Sequence, residues 1–500
     1  MVVAGDSPPP PTNRLRLDLL LGTYIDVTAT YPPTFWTPKR MASKGSLGDS
    51  LVVQRWLKAM RDHVSKTHPS DRNHKPESLI AQSDIQSFIL DTGEDIFHQL
   101  RPAIESAQRE IIFVTCFWAR SQSLETLKSA LETLSTLRAG RSKVRVRIGL
   151  SSLSLCQKLF QTSSLEGRTY DPKEWPTKLG LQPANTLPGL DIQVKSIFVR
   201  PFSVMHPKFV IVDRKEVWLP SCNLSWESWL EGCVVLTGPV VENFVSFWQR
   251  IWGKNESTLE MEPNSSIIDE CATSGHQEIQ PPGPAQTLRK LELRSIASVF
   301  LPSPHHKNPR FMPFTWITPP PPPTPLNVFL LTLFDLATYS IYVQTPNITS
   351  LPVLKALLSA LQRGVHVKIV TSERLMILEQ LFTAGTTTAR CVRMMAKQHK
   401  RMKKRPERSD EEAGPRRIGN LVVEYFQPKR PITSREPLQS HVKLTIVDGE
   451  WVVMGSGNMD RASWYTSQEL DVAFRDRKFA RAVKDDLDLI LQERKRIAFS

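Results

Sequence analysis

Two short segments of this chain carry the same polar residues at the same spacing. One reads HPKFVIVDRKEVWLPSCN, from His206 to Asn223, and the other HVKLTIVDGEWVVMGSGN, from His441 to Asn458. Aligned without a gap, His206 matches His441, Lys208 matches Lys443, and Asp213 matches Asp448. Ser221 matches Ser456 and Asn223 matches Asn458. Five polar positions held at fixed offsets, twice in one chain, are a repeat rather than a coincidence. Each copy supplies an imidazole, an ammonium, a hydroxyl and a carboxamide. Cleaving a phosphodiester through a covalent intermediate needs a nucleophile, a general acid for the leaving oxygen, and donors for the non-bridging oxygens. One copy has a single imidazole. Two copies facing each other have two, so that one attacks while the other gives and later takes a proton. This set of groups calls for no metal and no cofactor.

Each His-x-Lys opens an apolar run with strand character. A period of two puts His206 and Lys208 on one face of a sheet, and His441 and Lys443 likewise. Asp213 and Asp448 lie at odd offset and fall on the opposite face, away from any shared substrate atom. After each Asp comes a turn, a second apolar run (Glu216–Leu219; Trp451–Met454) and then Ser-x-Asn. This is a β-hairpin whose far strand returns Ser and Asn toward the histidine. Two charged side chains on a buried strand need a compensating reason, which a shared site provides.

The flanking pattern repeats too. In the first half the order is helix Asp91–Gln108, strand Ile111–Phe117, helix Leu124–Leu137, strand Val144–Leu150, strand Ile192–Val199, then the motif. In the second it is helix Leu326–Thr338, strand Ser340–Thr345, helix Leu351–Arg363 closed by Gly364, and strand Val365–Val370. A helix over Leu375–Gly385 and strand Leu421–Phe426 follow, then the motif. The expected fold class is α/β: two similar lobes, each a mixed sheet flanked by helices, with the site at their interface. Residues 1–77 read as a partly disordered leader with a short helix near Leu51–His63. The first lobe spans 78–255, a polar linker 256–294 and the second lobe 295–500. Pro319–Pro325 is a stiff polyproline spacer. Residues 397–417, with nine Lys/Arg and four Asp/Glu, read as a surface loop, either merely solvated or a contact for anionic membrane or nucleic acid.

The 500 residues are 40% apolar and 23% charged, values for a chain that buries a sizeable core. A net charge of +14 favours anionic partners without choosing among them. Six scattered cysteines with no C-x-x-C pair signal no zinc site and fit a reducing compartment. The start of the chain lacks the pattern of a signal peptide, and no segment reaches the ~18 apolar residues of a transmembrane helix. The expected location is cytoplasmic, or peripheral on an intracellular membrane.

At the two motifs the chain resembles the phospholipase D superfamily, whose signature is H-x-K-x4-D-x6-G-S/T-x-N. The second copy matches throughout; the first has Pro220 where the glycine stands. The run NMDRASWYTSQELDVAF is also similar to the family, in which a Glu follows the Asn. Here that is Glu469, with Glu231 in WLEGCVV as its counterpart. The resemblance covers roughly residues 80–255 and 295–495, and is closest to two-motif proteins of the cardiolipin synthase kind, fungal ones included. It implies that His206 attacks and forms a phosphohistidine, and that His441 protonates the leaving alcohol and then activates water or an acceptor alcohol. Lys208, Lys443, Asn223 and Asn458 would hold phosphoryl oxygens, Glu231 and Glu469 would orient the histidines, and Ser221 and Ser456 would support the site. The assignment of the attacking histidine comes from the resemblance, since the motifs' internal symmetry leaves it open.

The implied reaction is hydrolysis of a phospholipid's head-group phosphodiester or transfer of its phosphatidyl group, at an active site complete within one chain. Peripheral contact with an anionic membrane goes with it. A nuclease is the alternative enzyme. Basic charge favours it, whereas single-motif nucleases of the superfamily build their site from two chains, and tyrosyl-DNA phosphodiesterases lack the motif Asp that Asp213 and Asp448 supply. A non-catalytic binding protein on the same fold is the third reading. The presence of every required polar group in both motifs weighs against it.

Overall fold

The computed structural model describes residues 50–64, 75–153, 164–198, 204–253, 287–306, 319–404, 417–433 and 436–500. Most of the expected leader, linker positions 256–286, loop positions 405–416 and Val199 lie outside them.

Seventeen strands are present among the described residues: β1 (Ile80–Thr92), β2 (Glu110–Phe117), β3 (Val144–Ser152), β4 (Ser164–Thr169), β5 (Leu190–Phe198), β6 (Phe209–Val212), β7 (Glu216–Pro220), β8 (Trp229–Thr237), β9 (Thr287–Ser303), β10 (Ser340–Gln344), β11 (His366–Thr371), β12 (Leu421–Phe426), β13 (Gln439–Ser440), β14 (Leu444–Val447), β15 (Trp451–Gly455), β16 (Glu469–Arg475) and β17 (Lys495–Phe499). Hydrogen-bonded neighbours run β5-β3-β2-β6-β7-β8-β1 in one half and β12-β11-β10-β14-β15-β16-β9 in the other. The order is the same in both. The halves join where β1 and β9, equivalent strands of the repeat, pair antiparallel. In each half the three parallel strands stand beside an antiparallel meander that carries the motif. The α/β duplication is therefore a property of strand order as well as of motif.

Alternation along the strands sorts the core. Ile112, Val114, Phe209 and Ile211 join one apolar cluster, which runs on into the second half; Ile111, Phe113, Val210 and Val212 join another under the first half alone. Helices sit close to their expected places, at Gly93–Glu105, Gln122–Leu137, Pro325–Leu336, Leu351–Gln362 and Ile377–Ala384. Side-chain caps fix three of the starts, with Thr92, Ser121 and Thr324 accepting from backbone N–H groups of the first turn. The short helix expected in the leader is Leu51–Val64. It packs on Pro325–Leu336 through Trp56, whose ring meets Phe329 edge-on at 5.9 Å and whose Nε1 donates to Pro325 O.

Three readings are corrected. Asp91 and Thr92 end β1 rather than start a helix. Residues 287–294, read as linker, are the first part of β9. Residues 397–404, read as loop, are the last turns of helix Thr388–Lys404.

Candidate active site

The two hairpins are built alike. Each turns through two residues at positive φ, Asp213 (51°) and Arg214 (54°) in the first, and Asp448 (51°) and Gly449 (61°) in the second. The i→i+3 bonds Lys215 N–H to Val212 O and Glu450 N–H to Val447 O close them, giving the turn that matches strand twist. Asp213 accepts from the backbone N–H groups of Gln108, Arg109 and Glu110. Asp448 accepts from those of Thr338, Tyr339 and Ser340. Both aspartates thus sit in the hairpin turns, beyond the strands whose faces were expected to carry them, and hold the start of the neighbouring strand.

His206 is partly exposed and His441 is buried. Lys208 and Lys443 are almost fully buried, and each Nζ donates to the backbone O of the histidine two residues before it, at 2.8 and 2.7 Å. The His-x-Lys residues precede their strands, β6 beginning at Phe209 and β14 at Leu444, so the backbone contact rather than strand period places each ammonium beside its histidine.

The decisive geometry is crossed. His206 Nδ1 lies 2.8 Å from Glu469 Oε2, and His441 Nδ1 lies 2.8 Å from Glu231 Oε1. Each histidine takes its carboxylate from the other repeat. The backbone crosses in the same way. His206 N–H donates to Gln468 O, and His441 N–H donates to Leu230 O. Each histidine is therefore fixed by two successive residues of the opposite half, and β13, just before His441, pairs with β8. Both sets of groups thus face one another at a single junction.

The serines complete the frame. Ser221 Oγ donates to Glu231 Oε2 and accepts from Gly232 N–H. Ser456 Oγ donates to Glu469 Oε2 and accepts from Leu470 N–H. Pro220 leaves this geometry intact, because Ser221 N–H donates to Gly232 O as Ser456 N–H does to Leu470 O. Asn223 Oδ1 accepts from Phe117 N–H, while Asn458 Nδ2 donates to Asp460 Oδ2. Asn458 Oδ1 is buried without a hydrogen-bond partner among the described residues.

Charge distribution differs between the halves. Burial pushes His441 down to about 4, only partly offset by the Glu231 charge. Burial opposes ionisation of Glu231, but His441 and Lys443 outweigh it and hold the carboxyl below its usual range. Glu469 goes the other way, raised by burial to about 7 despite hydrogen bonds from Ser456 and Ser463. Burial lowers Lys443 to about 7 and raises Asp471 to about 7. Among the described residues no group of three or more His, Cys, Asp or Glu is placed to hold a metal ion.

Sequence reasoning missed three neighbours. Trp229 stands against His441 with ring centroids 5.0 Å apart. Ser463 Oγ gives Glu469 a further hydrogen bond, at 2.7 Å. Asp471 accepts from Gly457 N–H. Aligning the repeats from their glutamates would have found two of them, because Trp229 then falls opposite Ser467 and Asp471 opposite Cys233. Asp471 helps to crowd the second motif's glycines: a Cβ on Gly457 would stand 3.1 Å from its Oδ2 and from Leu326 Cδ2, and one on Gly455 2.5 Å from its Oδ1, with the Leu470 backbone O closer still.

Residues 330–490 match the family model described as cardiolipin synthase, PLD-like domain. Among curated proteins the chain is 23% identical over 426 residues to cardiolipin synthase B of Escherichia coli strain K12, covering 81% of this chain and 79% of that one. Cardiolipin synthase B of E. coli O6:H1 matches to the same extent. Among solved structures, the phosphatidylserine synthase of Haemophilus influenzae Rd KW20 superposes with a TM-score of 0.51 at 12% identity, over 86% of this chain and 92% of that one. That likeness is one of fold.

Proposed function

We propose that this chain, which belongs to the phospholipase D superfamily, is a phosphodiesterase that cleaves a phospholipid's head-group ester and transfers the phosphatidyl group to an alcohol or to water. The crossed pairs His206–Glu469 and His441–Glu231 carry this reading, because they join both repeats into one site. The similarity to cardiolipin synthase B supports a phosphatidyl substrate.

With each Nδ1 held by a carboxylate, Nε2 is the reacting atom of each ring. Nε2 of His206 attacks phosphorus, the P–O bond to the head group breaks, and His441 gives its Nε2 proton to the leaving oxygen. An acceptor hydroxyl then returns a proton to His441 and attacks phosphorus, and the P–N bond breaks. Lys208, Lys443, Asn223 and Asn458 stabilise the non-bridging oxygens. The anionic phosphodiester itself favours the imidazolium form of His441, against the burial that disfavours it.

The test is to offer phosphatidylcholine, phosphatidylglycerol and single-stranded DNA, with and without a primary alcohol, in the presence of chelator. Phosphatidyl-alcohol is the expected product. Cleavage of DNA alone would replace this reading with a nuclease. In His441→Ala, the phosphatidyl group from an activated ester should remain on His206, detectable by mass spectrometry. Recovery of that adduct on another residue would reassign the nucleophile.

A further inference from the structure

Helix Ile377–Ala384 is packed inside out. Its one buried side chain is polar: Gln380 is 2% exposed, its Nε2 donates to Leu375 O, and its Oε1 accepts from Thr388 N–H, each at 2.6 Å. Its apolar side chains face solvent, with Leu378 83% exposed, Phe382 61% and Leu381 46%. At i, i+3 and i+4 these three share one face. Ile377 and the preceding Met376 are exposed beside them. Five of the fourteen large apolar side chains exposed among the described residues thus fall within seven positions, a concentration that single scattered exposures do not produce.

The helix is tied to the site. Arg461, three residues after Asn458, donates to Thr383 O, and Thr388 Oγ1 accepts from Ile348 N–H. Ile348 in turn bridges to Met459. Its flanks are basic. Exposed Arg374, Arg390 and Arg393 border it, and residues 374–404 hold eight Lys/Arg against one acidic residue, Glu379.

We propose that this helix docks the protein on a bilayer containing anionic phospholipid. Leu378, Leu381 and Phe382 enter the acyl region, and the basic flanks meet the head-group phosphates. A second copy of the chain is a poor occupant, because it would set one positive flank against another. The assignment builds on the phospholipid reading, since a bilayer is where a phosphatidyl substrate resides, but its test stands apart from turnover.

The full chain is sedimented with vesicles of phosphatidylcholine, alone or mixed equally with phosphatidylglycerol. Wild type should partition to the anionic vesicles and be released by salt. Leu378→Ser/Phe382→Ser should weaken partition by about 100-fold, from the two side chains no longer buried. Arg390→Gln/Arg393→Gln should weaken it by about 30-fold on anionic vesicles only. Leu378→Ser/Phe382→Ser should still cleave a water-soluble phosphodiester at the wild-type rate. Helix-dependent vesicle binding without turnover on any phosphodiester would overturn the enzymatic reading and leave docking standing. Wild-type partition in Leu378→Ser/Phe382→Ser, or wild type left in the supernatant, would overturn docking. So would a wild-type dimer that those substitutions dissociate.

Discussion

The crossed pairing makes Glu231 the partner of His441 and Glu469 the partner of His206, so substitutions at the two glutamates should fail in different steps. Glutamine at either position keeps the shape, and with its oxygen toward the ring its NH2 faces Ser221 in Glu231→Gln and Ser463 in Glu469→Gln. What it loses is the charge on the acceptor facing Nδ1. A hydrogen bond to a charged group contributes about 1.5–3 kcal/mol, and each ~1.4 kcal/mol of barrier is tenfold in rate, so the affected step should slow by roughly 10–150-fold. Where the amide turns its NH2 toward the ring and forces the other tautomer, the loss should approach ~10,000-fold. The assay compares a choline leaving group with p-nitrophenol, which departs without needing a proton. The first-turnover burst of p-nitrophenol reads the attack on phosphorus alone. Glu231→Gln should slow choline release but leave the burst near wild type, because only proton donation by His441 is impaired. Glu469→Gln should slow both equally, because His206 attacks in either case. Rescue of Glu469→Gln rather than Glu231→Gln would exchange the roles of the histidines. Equal losses on both substrates in both variants would refute the crossed division of labour.

Three further outcomes follow from the same geometry. Tungstate, a phosphate mimic, brings negative charge beside Lys443, held near 7, and His441, held near 4. It raises both, so binding takes up protons, and affinity should fall as pH rises above about 4 through His441, with Lys443 adding up to about tenfold per pH unit above 7; calorimetry in buffers of different ionisation heat checks this, and a flat profile from pH 6 to 9 contradicts it. Asp213→Ala removes the acceptor of three backbone N–H groups and should cost about 3 kcal/mol, read as a lower denaturation midpoint, with turnover per folded molecule unchanged. Trp229→Leu should slow choline release by about 2–30-fold, the range of a lost cation–π contact, while sparing the p-nitrophenol burst.

The grouping of the site residues was legible because motif spacing acts over a few residues. His206 and Lys208 just precede the hairpin Phe209–Pro220 and Ser221 just follows it, so a short apolar hairpin brings them together. The joining strands were not. Along β1 the ladder shifts between Ile85 and Ser87, and β9 contains Glu292 and Ser295 at positive φ. Each irregularity moves the next side chain to the other face, so no clean alternation survives to be read. The choice of glutamate for each histidine was also hidden. His206 and Glu469 are 263 residues apart, and nothing local distinguishes that pairing from one within a single repeat.

A duplicated site has a problem that its motifs do not solve: two chemically equal histidines must do opposite jobs. The surroundings break the tie. Glu231 is held toward its ionised form, and the Trp229 ring stands 5.0 Å from that of His441, tilted by 55°; both would favour an imidazolium once substrate charge arrives. Around His206 the carboxyl of Glu469 is pushed toward its neutral form, and Ser467 occupies the position equivalent to Trp229. His206 therefore faces a partner of weaker negative charge than His441 does. The difference arises from burial and from a single aromatic residue, both outside the repeated signature. In the proposed mechanism Glu231 and Trp229 are what sets His441 apart as the acid, and changing them should erode the division of labour before it erodes the fold.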